Sequence, residues 1–172
     1  MPTNHRYVGK VWIFGDNINT DLMYPHICYT VSEKERPKYT MWANRPDWAG
    51  MVQAGDILVA GKNFGMGSSR PAAANLKGLG ISCVIAESVN GLFLRNSINF
   101  GLPIATVPGI TSSVSEGDRI FVDLDRGTVT VAAGEVINFK SLPLFLLEIL
   151  DSGGIIEVLK KKDLLDLSPS WD

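Results

Sequence analysis

Gly61-Lys62-Asn63-Phe64-Gly65-Met66-Gly67-Ser68-Ser69-Arg70 joins a strand to a helix. Upstream, Ile57-Leu58-Val59-Ala60 is a short continuous apolar run, the pattern of a strand buried on both faces. Downstream, Pro71-Ala72-Ala73-Ala74-Asn75-Leu76-Lys77 reads as a helix to about Leu79, with Gly80 as its stop. Pro71 suits the first helical turn, where a missing N–H costs nothing, and Ser69 suits an N-cap. Two hydroxyls and a guanidinium are therefore gathered where free N–H groups and the helix dipole favour an anion. Gly61, Gly65 and Gly67 let the backbone approach a ligand closely or take φ > 0. On pattern alone, a glycine-rich turn with a capping Ser and a surface Arg is an equally good reading.

Outward from this stretch the order is mixed α/β. Tyr7–Phe14 predicts a first strand. Thr20–Gly55 is irregular and carries Tyr24, Tyr29, Tyr39, Trp42 and Trp48. A segment that long implies a functional loop or short helices without a clear period. Ile81–Ala86 predicts a strand, Val89–Phe100 a helix ended by Gly101, and Pro103–Val107 another strand. Strand–helix–strand alternation of this kind predicts right-handed crossovers and a parallel core sheet. Arg119–Leu124, Asp125-Arg126-Gly127 and Thr128–Ala132 read as a β-hairpin. Leu142–Leu150 reads as a helix closed by Gly153-Gly154, and Ile155–Leu159 leads into the solvated run Lys160-Lys161-Lys162. The tail from about Asp163 is expected to be partly disordered.

Composition places the chain among ordinary globular proteins. Its 172 residues are 45% hydrophobic and 20% charged, which predicts one domain over 1–172 with a substantial core. A net charge of −2 offers no basic field for nucleic acid. No apolar run is long enough for a membrane span, and the opening residues Met-Pro-Thr-Asn-His-Arg lack the apolar segment of a signal peptide. Cys28 and Cys83 are far apart in sequence and are expected to be reduced thiols in a cytoplasmic protein. No His/Asp/Glu constellation suggests a metal site. His5 is expected in a mobile N-terminus and His26 in the irregular segment.

Three ordered blocks carry a resemblance. Asn63-Phe64-Gly65-Met66-Gly67-Ser68-Ser69-Arg70 resembles the Asn-Phe/Tyr-Gly-x-Gly-Ser-Ser-Arg signature of the aconitase swivelling domain. Gly15-Asp16-Asn17-Ile18-Asn19-Thr20-Asp21 with Pro25 resembles that family's Gly-Asp-Asn-Ile-Asp-Thr-Asp-x-Ile-x-Pro segment, with Asn19 where Asp is usual. Asn96-Ser97-Ile98-Asn99-Phe100-Gly101-Leu102-Pro103-Ile104 resembles its Asn-x-x-x-x-Gly-Leu-Pro-Ile stretch. The resemblance runs from about Val8 to about Val107, and is closer to the separate small subunits of 3-isopropylmalate dehydratase and homoaconitase.

The resemblance implies an α/β swivelling β/β/α domain with a mostly parallel core sheet, flanking helices and a β-hairpin. It implies a subunit of a [4Fe–4S]-dependent hydro-lyase that dehydrates and rehydrates a hydroxy di- or tricarboxylate. Ser68 matches the family's serine base, acting as an alkoxide, which needs surrounding dipoles because a hydroxyl is a weak acid. Ser69, Arg70, Gly67, Thr20 and Asp21 match its substrate-binding positions, with Arg70 the bidentate carboxylate clamp. Capping remains the competing role for Ser69, and a surface ion pair for Arg70. Two distant cysteines cannot hold a [4Fe–4S] cluster, so it is expected on a large-subunit partner. The segment Tyr24–Trp48 is a candidate docking face, with ordinary packing the equal alternative. A homodimer of the isolated chain is a further expectation.

Two positions depart from the family pattern. Pro71 stands where Glu is usual, and Ile27 where Arg is usual, so a carboxylate contact would come from Arg36, Arg45 or His26. Isopropylmalate, in leucine biosynthesis, is the first expectation for the substrate. Dimethylmalate, homoaconitate or a citrate-like acid is the alternative. A non-catalytic carboxylate-binding or regulatory subunit is a further one.

Overall fold

The computed structural model describes residues 5–67 and 70–164. Seven strands are present among them: β1 Arg6–Phe14, β2 Ile57–Ala60, β3 Cys83–Ala86, β4 Ile104–Thr106, β5 Arg119–Asp123, β6 Thr128–Thr130 and β7 Val136–Asn138. The helices are α1 Thr20–Met23, α2 Trp48–Met51, α3 Ala72–Leu79, α4 Gly91–Asn99, α5 Ile110–Ser113, α6 Leu144–Asp151 and α7 Ile155–Lys161. Short 3₁₀ turns cover His26–Tyr29 and Arg36–Tyr39. The segment Thr20–Gly55 thus resolves into short helical turns rather than open loop.

The strands form one sheet in the order β4-β3-β2-β1-β5-β6-β7. β1 divides it. Its second half, Val11–Phe14, runs parallel to Ile57–Ala60, while its first half, Arg6–Lys10, pairs antiparallel with β5. One wing, β1 to β4, is therefore a parallel core, and the other is the expected hairpin β5–β6 extended by β7. Every residue of β2 and β3 is buried, which explains their unbroken apolar runs. Helices α3 and α4 lie between consecutive parallel strands in sequence and pack on each other. Gly80 closes α3 with φ +107, its N–H reaching Leu76 O and Lys77 O.

Two expectations need correction. α3 starts at Ala72, so Pro71 is its N-cap (φ −74, ψ 47) rather than a residue of its first turn. His5 is not in a mobile arm; it is buried, with Nδ1 2.7 Å from Asp125 Oδ1 and Nε2 2.8 Å from Asp151 Oδ1. The ring ties the start of β1 to the β5–β6 turn and to the end of α6. The predicted tail lies outside the described residues from 165 onward. No helix among the described residues is long and apolar enough to cross a membrane.

Candidate active site

Three segments leave the carboxyl ends of parallel strands side by side: residues 15–21 after β1, 61–67 after β2 and 87–90 after β3. Crevices at this edge are where open parallel sheets bind ligands. The first two segments are laced together. Lys62 N donates to Asp16 Oδ1 at 2.6 Å, and Asn17 N to Lys62 O at 2.8 Å. Asn63 Nδ2 donates to Asn17 Oδ1 at 3.0 Å, Gly65 N to Ile18 O at 2.8 Å, and Thr20 N to Met66 O at 2.9 Å. The third segment joins on the other side, where Phe64 N donates to Ser88 O and Asn90 N to Phe64 O. The glycine loop is thus the middle of three parallel segments.

The residue types follow from this geometry. Gly65 has φ +78, and a Cβ there would lie 2.2 Å from the Phe93 ring. A Cβ on Gly61 would lie 2.0 Å from Asp16 Oδ1. Gly67 has φ +103 and faces Thr20 Oγ1, 3.2 Å from where a Cβ would stand. Asn19 caps α1, its side chain accepting from Leu22 N at 3.0 Å, a task Asp would perform equally well.

Arg70 lies at the far end of the loop. Its Nε is 2.8 Å from Asp21 Oδ1, and its Nη1 donates to Tyr24 O at 2.9 Å. Its guanidinium carbon stands 5.7 Å from the Tyr29 ring centroid. The guanidinium is held by one carboxylate, one carbonyl and one aromatic ring, and among the described residues Nη2 has no hydrogen-bond partner. Thr20, Asp21, Gly67 and Arg70 are brought together. The expected base Ser68 and its neighbour Ser69 lie outside the described residues.

Of the three candidates for the contact missing at Ile27, His26 has its ring 5.9 Å from that of Tyr29, which faces Arg70. Arg45 is committed elsewhere, both nitrogens on Glu116 at 2.6 and 2.8 Å. Arg36 donates through Nε to Cys28 O and lines a cavity of about 270 Å³ with Tyr24, Glu33 and Phe100. The aromatic segment splits: Trp48 and Tyr24 are buried, whereas Tyr29 and Trp42 are about half exposed. Tyr24 O and the Tyr29 ring are site groups that sequence reasoning missed. A backbone carbonyl carries no signal in its residue type.

Neither cysteine is placed for a cluster. Cys83 lies within β3 and Cys28 under α3, both buried, and burial pushes each thiol up. Among the described residues no three His, Cys, Asp or Glu side chains gather as a metal site.

The model of the aconitase C-terminal domain matches residues 14–108, which hold all three parallel-edge segments. The chain belongs to the aconitase C-terminal domain family. Within this family it is 48% identical over 158 residues to the isopropylmalate/citramalate isomerase small subunit of Methanocaldococcus jannaschii, covering 90% of this chain and 94% of that one. It is 42% identical to 3-isopropylmalate dehydratase small subunit 1 of Thermotoga maritima, with 89% and 94% covered. The crystal structure of a 3-isopropylmalate dehydratase from Methanocaldococcus jannaschii superposes with a TM-score of 0.86 at 33% identity, over 92% of this chain and 96% of that one. The strands β2 to β4 and the laced loops lie within the stretch matched by the aconitase C-terminal domain.

Proposed function

We propose that this chain is the small subunit of a two-subunit hydro-lyase that isomerises a hydroxy dicarboxylate by dehydration and rehydration. 3-Isopropylmalate, in leucine biosynthesis, is the first substrate. The observation that carries the reading is the Arg70 guanidinium, oriented by Asp21 and Tyr24 at the end of a glycine loop whose motif ends in Ser68-Ser69-Arg70. Arg70 takes a substrate carboxylate through its guanidinium. A carboxylate aimed at another would repel it, so Asp21 serves better as the partner that orients Arg70 than as a substrate contact. Ser68, as alkoxide, takes the proton from the carbon beside the bound carboxylate. Ser69 donates its hydroxyl to that carboxylate.

The donor set of this chain does not fit a [4Fe–4S] cluster, whose irons need thiolates gathered in one place. A large subunit is proposed to carry it, together with the acid that protonates the hydroxyl as it leaves as water. The exposed Tyr29 and Trp42 are proposed to belong to the face that meets this partner. The 1–172 chain is read as one swivelling domain of a cytoplasmic heteromer.

The test is co-expression with the large subunit and a hydratase assay on 3-isopropylmalate, citramalate, dimethylmalate and homoaconitate. Turnover is expected with 3-isopropylmalate and requires both chains. Ser68→Ala lowers kcat by about 10²–10⁴-fold with little change in fold. Turnover by this chain alone, or near-normal kcat in Ser68→Ala, sinks the reading.

A further inference from the structure

Asn75 lies in α3 beneath the site, buried to within 3% of its surface. Its Nδ2 is 3.1 Å from Met23 O, 3.4 Å from Arg36 O and 3.5 Å from Cys28 Sγ. Carbonyl oxygens only accept, so the nitrogen end of the amide must face them. The Cys28 thiol donates to the same Arg36 carbonyl at 3.6 Å, which leaves a sulfur lone pair for the amide. Arg36 answers through its own Nε, which donates to Cys28 O at 3.0 Å. Both ends of the excursion from Met23 to Arg36 thus close on one side-chain amide. The groups that hold Arg70 lie on this excursion or just before it: the Asp21 carboxylate, the Tyr24 carbonyl and the Tyr29 ring.

We propose that Asn75 is a positioning residue for Arg70. By pinning Met23 and Arg36 to the helix that follows Arg70, it sets where Asp21, Tyr24 and Tyr29 stand and so where the guanidinium points. Asn75 touches no substrate; it acts through Arg70. The inference rests on the reading of Arg70 as the anchor of the substrate carboxylate.

The test is a double-mutant cycle in the complex with the large subunit, reading kcat/KM for 3-isopropylmalate. Asn75→Leu keeps the branched shape and the heavy-atom count and removes both protons. It is expected to lower kcat/KM by about tenfold, below the roughly 10²-fold that a displacement on the order of 1 Å can cost. In the Arg70→Lys background the same change should lower it by less than about twofold, because no planar fork remains to be aimed. Arg36→Ala keeps the carbonyl that Asn75 holds and cuts only the Nε bond to Cys28 O, so it loosens the same excursion from within and should show the same pattern with a smaller loss. If Asn75→Leu does not fold, Asn75→Ala, which removes the same two protons without adding bulk, runs the same cycle and decides. Equal losses in both backgrounds mean that Asn75 and Arg36 support the fold only, and overturn the proposal. So does unchanged kcat/KM in a folded variant. An Arg70→Lys single variant with normal kinetics is a different result: it removes the anchor reading and this inference with it.

Discussion

Arg70 shows how much one residue type matters. Lysine would keep the charge and lose the fork, and with it the simultaneous contacts to Asp21, Tyr24 O and a substrate. Arg70→Lys is expected to lower kcat/KM by about 10²-fold in the reconstituted complex. The melting temperature should barely move, because Asp21 is more than half exposed and such a pair contributes about 1 kcal/mol or less. Steady-state kinetics beside a melting curve separate the two effects. A large melting shift with normal kinetics would make Arg70 a structural ion pair. Gly65 behaves oppositely. Its positive φ and the Phe93 ring against its missing Cβ predict that Gly65→Ala destabilises the fold by about 2–5 kcal/mol, read by urea titration. The need for glycine there was legible as a motif, but its cause was not. Phe93 reaches the loop from α4, and no local pattern announces that meeting.

At the scale of elements, the two motif loops are one structure. Asp16, Asn17, Ile18 and Thr20 bond to Lys62, Asn63, Gly65 and Met66, which explains physically why the two blocks occur together. The parallel strands and their helices were legible because fully buried strands are continuously apolar and the helices end at Gly80 and Gly101. The short turns of Thr20–Gly55 were not, because single turns lack a period. β1 is also tied to its neighbours by charge. The Arg45 hydrogen bonds hold the Glu116 carboxyl below its usual range, helped by Ile13 N, which donates to Glu116 Oε2 at 3.1 Å. A depressed carboxylate stabilises the fold above its unfolded pKa, and that contribution is lost as pH falls through the folded value. Glu116→Gln is therefore expected to lower the stability slightly at pH 7, by about 1 kcal/mol or less, read as a small drop in melting temperature. The difference should vanish on acidification into the range below the carboxylate titration. A constant difference from pH 7 to pH 3 would mean that packing, not charge, is at work.

For the whole molecule, His5 decides how the chain start is fixed. Its ring nitrogens meet Asp125 and Asp151, joining β1, the β5–β6 turn and α6. His5→Ala removes a buried ring and its hydrogen bonds to two partly exposed aspartates, and should cost about 1–2 kcal/mol in urea unfolding. An unchanged midpoint would return His5 to the mobile arm that its sequence position suggested. The molecule is also half of a proposed site. Anaerobic reconstitution of the isolated chain with iron and sulfide is expected to give no stoichiometric visible absorbance, since its two thiols are buried in different elements. A full cluster spectrum would overturn the assignment of the cluster to the partner.

The amino-acid sequence by itself determined the parallel core, the glycine loop and the family, because apolar runs, helix stops and motif spacing are local properties of the chain. It also named Arg70, Thr20 and Asp21 as candidates for the site. Only the tertiary structure decided that Asp21 and Tyr24 O hold the Arg70 guanidinium, that Arg45 belongs to Glu116, and that Asn75 closes the excursion from Met23 to Arg36. These are contacts between residues distant in sequence. A charged or amide side chain declares what it could bind, but which partner it meets is set by how β1, α1 and α3 pack around the sheet edge.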